Sequence, residues 1–64
     1  MNTRQINLGL YIALFPEAVT AGSLYDRLPL ECKLDELTFI ADLLVLELND
    51  VISFDGAYVN KSLA

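Results

Sequence analysis

The sequence predicts a mainly α domain with a small β-hairpin, α+β overall. Three segments carry apolar residues at spacings of three and four, the period of a helix with a buried face. After them the period becomes that of strands, and Asp55-Gly56 stands between two β-prone runs, a strong signal for a two-residue hairpin. The 64 residues are read as one domain, 1–64, with no linker, repeat or low-complexity stretch.

The first helix is expected from Thr3 to Phe15. Ile6, Leu10, Ala13 and Leu14 share one face, Asn2 or Thr3 caps the start, and Pro16 stops it. The opposite face is apolar too, with Leu8, Tyr11, Ile12 and Phe15, so the helix is expected to be covered on most sides. Ala18-Val19 forms a brief strand or an extended joint. A two-turn helix then starts behind Thr20 as N-cap, carries Leu24, Tyr25 and Leu28, and ends at Pro29.

The third helix runs from about Asp35 to Leu48. Asp35 is the N-cap, and Asp35 and Glu36 both suit the positive N-terminal end. Leu37, Ile40, Ala41, Leu44 and Leu48 form the expected core face, with Val45 at its edge, and Asn49 is expected to take the left-handed conformation that closes a helix. Val51–Phe54 and Ala57–Asn60 are the hairpin strands, with positive φ expected at both Asp55 and Gly56.

The order is helix, short strand, helix, turn, long helix, hairpin. With Val19-Thr20 entering the second helix, the Leu24/Leu28 pair, Leu37–Leu48, and the run from Asn49 to Leu63, this resembles the winged helix-turn-helix superfamily over about residues 3 to 62. The resemblance implies a winged-helix-like fold of three helices plus a two-stranded wing, with Leu37–Leu48 in the recognition position. It also implies a class of function, transcription control, though one fold hosts many roles.

In DNA-binding members, basic and amide side chains on the exposed face of that helix read the major groove. Here the face expected outside holds Phe39, Leu43 and Leu46, flanked by Asp35 and Asp42 on one side and Glu36 and Glu47 on the other. Carboxylates repel a phosphate backbone, and nine acids against four bases give the chain a net charge of −5. An apolar stripe with a charged rim is the layout of a protein interface, and Phe39 is its natural anchor. The expected role is therefore that of a small regulatory protein binding a protein partner, one of basic character suiting the rim. The alternative is a helix covered on both sides within one chain.

Leu8, Tyr11, Ile12 and Phe15 are likewise either core or the seam of a homodimer. A 55 % hydrophobic content rules against disorder and favours a second chain covering some apolar surface. Three other readings stay open. One is a dimeric DNA-binding regulator using Arg27, Lys33 and Lys61. Another is a structural subunit of a larger assembly, and the third is an acidic DNA mimic.

An enzyme is not expected. The chain has no His, and Gly9, Gly22 and Gly56 are isolated and make no phosphate loop. Asp35 and Glu36 point to different sides of a helix, and Cys32 has no partner for a disulfide. Neither a metal nor a cofactor is implied, and a lone cysteine fits the reducing cytoplasm. The longest charge-free stretch, Gln5 to Pro16, falls short of the roughly 20 residues of a membrane span. Arg4, the run Leu8–Phe15 and Ala18–Ala21 imitate a signal peptide, but Asn7 and Glu17 interrupt the pattern.

Overall fold

The structure, a computed structural model, describes residues 1–29 and 35–61. Cys32 and Lys33, and the last residues of the resemblance, lie outside this set. Among the described residues three helices and three strands follow in the order α1 (Thr3–Ala13), β1 (Val19–Thr20), α2 (Ala21–Arg27), α3 (Glu36–Leu48), β2 (Ile52–Asp55) and β3 (Tyr58–Lys61).

Each helix start is fixed by a side chain that accepts from an otherwise unpaired amide. Asn2 accepts from the Gln5 amide at 2.8 Å, and the Gln5 side chain accepts from the Asn2 amide at 3.0 Å, so α1 opens with a reciprocal capping box. Thr20 accepts from Ser23 at the head of α2, and Asp35 accepts from Thr38 at the head of α3.

The end of α3 differs from expectation. Asn49 stays near φ −95°, with its side chain donating to the Val45 carbonyl, and Asp50 takes the left-handed position at φ 59°. The Asp50 and Val51 amides then reach back to the carbonyls of Glu47 and Leu46, the two bonds of a Schellman closure.

The sheet is antiparallel with strand order β1-β3-β2. The hairpin turn lies one residue later than its sequence signal. Asp55 pairs with Tyr58 inside the ladder, and the two-residue loop is Gly56-Ala57. Gly56 has φ +60° while Asp55 does not have positive φ, which is the glycine-first turn that matches strand twist. The third strand is Val19–Thr20, which pairs with Val59 and Tyr58.

One core gathers residues from every element but β1: Leu8, Ile12, Leu24, Phe39, Leu43, Leu46, Ile52 and Val59. Tyr11, Phe15, Val19, Tyr25, Val51 and Phe54 pack around it. Aromatic rings lock by edges, Tyr25 on Phe39 at 5.0 Å between centroids and Tyr11 on Phe15 at 5.4 Å. Among the described residues no helix is long and apolar enough to cross a membrane.

Candidate functional site

The faces of α3 are the reverse of the sequence expectation, and on α1 the structure takes the core side of the two readings left open. On α3, Phe39, Leu43 and Leu46 are buried in the core, so they offer nothing to a partner in the folded chain. The outward residues are Leu37 (80 % exposed), Ile40 (48 %), Leu44 (50 %) and Leu48 (82 %), with Ala41 exposed between them. On α1, Leu8 and Ile12 are core, and Tyr11 and Phe15 are half-buried against it. Tyr11 donates from its hydroxyl to the Arg27 carbonyl at 3.1 Å, and Arg27 lies over the Phe15 ring. That face is an intramolecular seam, and Ile6, Leu10, Ala13 and Leu14 face outward instead.

Two causes select these faces. The first is bulk. On each helix the buried face carries the aromatic residues, and rings remove the most apolar area from water. The second is a polar knot. Asp42, 3 % exposed, lies on the buried side of α3. Its carboxylate accepts from Arg4 Nε at 2.7 Å, from Arg4 Nη2 at 3.0 Å and from Gln5 Nε2 at 3.0 Å. The Arg4 hydrogen bond holds the Asp42 carboxyl below its usual range, with burial opposing and the Gln5 bond and the charge of Arg4 assisting. The knot ties the head of α1 to the middle of α3. One turn further along both helices, Gly9 lies so near Leu46 and Val51 that a Cβ there would stand 3.3 and 3.0 Å from their methyl groups. From the sequence Asp42 falls on the rim of the stripe, and nothing local pairs it with Arg4. The missed signal was that Asp42 adjoins Leu43 and Leu46 on the helical wheel, with a cation available elsewhere in the chain.

The outer stripe of α3 is therefore the candidate surface. From Leu37 to Leu48 it spans about 16 Å at 1.5 Å per residue. Glu36 and Glu47, eleven residues apart, fall on the same side of it and are exposed. Between α2 and α3 the stripe meets an open cleft of about 210 Å³ lined by Ala21, Gly22, Tyr25, Asp26, Glu36, Phe39 and Ile40. Its walls are apolar and its two charged residues are acidic. Asp35 is exposed but occupied as cap, its carboxyl held below the usual range first by the Thr38 amide. Of the seven expected partner residues, Glu36 and Glu47 lie beside this stripe.

Among the described residues the bases do not form a patch. Arg4 is bound to Asp42. Arg27 lines a second open cleft with Phe15, Glu17 and Tyr58, whereas Lys61 stands at the other end of β3 from Tyr58.

Against protein-family models, curated proteins and solved structures alike, the chain finds no match.

Proposed function

We propose that this chain is a winged-helix-like regulatory domain that acts by binding another protein through the outer face of α3. The element order and the strand order β1-β3-β2 support the winged-helix reading, since a short strand ahead of α2 joins the C-terminal hairpin. In that fold α3 occupies the recognition position. The observation that carries the function is what α3 presents there: Leu37, Ile40, Leu44 and Leu48, at least 48 % exposed each, where a DNA reader would carry Arg, Lys or Asn. The partner is a protein segment with an apolar stripe and flanking Lys or Arg, matched to Glu36, Glu47 and Asp26. A single cysteine in the chain suits work in a reducing cytoplasm.

The test uses three probes in fluorescence anisotropy: an amphipathic helical peptide of Leu and Lys, its Leu and Glu counterpart, and a random-sequence DNA duplex. The Leu and Lys peptide is expected to bind, and Leu44→Gln to weaken it by about 10-fold, the loss typical of one interface anchor. Binding of the duplex with steep salt dependence, lost in Arg27→Ala or Lys61→Ala, would overturn the proposal in favour of a DNA regulator. So would a Leu44→Gln chain that binds the peptide as the parent does.

A further inference from the structure

A second surface, on the far side of α1 from the core, points to a different occupant. Ile6, Leu10 and Leu14 are 46, 64 and 78 % exposed. They stand four residues apart, so they form a single inclined ridge along α1. Ala13 is exposed beside them, and of the other exposed residues of the helix Thr3 and Asn7 are uncharged. The one charged residue of α1 is Arg4, and its guanidinium is held by Asp42.

We infer that this ridge is a self-association surface, and that its occupant is a second copy of the chain. Two copies, each of net charge −5, repel one another, so contact is tolerated best where neither brings a carboxylate. The outer face of α3 has Glu36 and Glu47 at its edge, and the hairpin carries Asp55. The outer face of α1 has no carboxylate. A twofold contact requires a patch that fits itself. Ile6 and Leu14 are equidistant from Leu10, so a twofold axis beside Leu10 sets one ridge into the groove of the other at a crossing near 50°. A helix of 11 residues, about 16 Å long, covers less than the roughly 800 Å² per partner of a stable complex. The dimer is therefore weak and exchanging, with half-dissociation expected at tens of micromolar, about −6 kcal/mol. This surface is separate from the outer face of α3, so either assignment stands if the other fails.

Sedimentation equilibrium of the full chain, from roughly 1 µM to roughly 1 mM, reads the dimer directly. The parent chain is expected to show a monomer–dimer equilibrium. Leu10→Asp and Leu10→Lys are both expected to weaken it by at least about 10-fold while keeping the helical circular dichroism of the parent. Substitutions of both signs separate loss of the ridge from added net charge, and the uncharged Leu10→Gln gives the same reading if a charged variant does not fold. Leu44→Asp is expected to dimerise as the parent does. A chain that stays monomeric over the whole range would overturn the inference. So would a dimer that survives all folded Leu10 variants, or one that Leu44→Asp abolishes and Leu10→Asp spares.

Discussion

Asp42 decides how α1 meets α3. A carboxylate 3 % exposed is costly unless its oxygens are filled, and here Arg4 and Gln5 fill them with three donors. Gln5 also closes the capping box of its own helix, so one side chain couples helix initiation to helix packing. Removing the acceptor in Asp42→Ala is expected to cost about 1–3 kcal/mol in urea unfolding, nearer the lower figure because Arg4 can turn to water. The pH dependence follows from the lowered pKa. A carboxyl depressed in the folded state stabilises the fold above its ordinary value of 3.8, and that contribution is lost as pH falls from there through the depressed value. Asp35 is depressed as well and loses its contribution in the same direction. Stability measured by urea unfolding is therefore expected to fall as pH drops below about 4, and Asp42→Asn to flatten part of that slope. An Asp42→Asn chain with the slope of the parent would show that the knot does not titrate.

At the scale of the element, two glycines in helices make opposite predictions. Gly22 in α2 has nothing within 4 Å of where a Cβ would sit, whereas Gly9 in α1 would push its Cβ against Val51 and Leu46. Gly22→Ala is expected to raise stability by about 0.5 kcal/mol through helix propensity and a stiffer unfolded chain. Gly9→Ala is expected to lose that gain to crowding, since Leu46 is fully buried and cannot yield freely. Thermal unfolding of the pair checks both, and a stabilised Gly9→Ala would mean that α1 and α3 approach less closely.

The helices, their starting caps and the existence of the hairpin were legible because each rests on local chemistry: Asn2, Thr20 and Asp35 as acceptors, Pro16 as a stop, and a glycine at a turn. What was not legible was orientation. A helix with apolar residues on two opposite faces gives periodicity no preferred face, and α1 and α3 are both of this kind. The decision came from long-range pairing, Arg4 with Asp42 across 38 positions, and from where the rings found partners. The turn slipped by one residue for a related reason. Asp55-Gly56 names the right glycine, but the pairing of Asp55 with Tyr58 is set by the ladder and not by the dipeptide. The candidate surface inherited the same reversal, so its chemistry, apolar with an acidic edge, was anticipated while its residues were not, apart from Glu36 and Glu47.

At the scale of the whole molecule, the surplus of apolar residues defines the problem. The core uses one face of α1 and one of α3, and the remaining faces leave Ile6, Leu10 and Leu14 on one helix and Leu37, Ile40, Leu44 and Leu48 on the other in contact with water. Exposed apolar stripes of this kind mark association surfaces. Their different edges suit different occupants: a charge-free ridge for a like-charged copy, and an acid-edged stripe for a basic partner. The outer leucines of α3 are then dispensable for folding. The most direct measurement is the thermal unfolding of Leu44→Asp beside Leu43→Asp. A carboxylate at the half-exposed position 44 is expected to cost no more than about 1.5 kcal/mol and to leave the chain folded. At position 43, where the side chain is 1 % exposed, it is expected to cost at least about 4 kcal/mol and leave the chain unfolded. A folded Leu43→Asp with an unfolded Leu44→Asp would contradict the account, placing the outer stripe in the core and leaving α3 no surface for a partner.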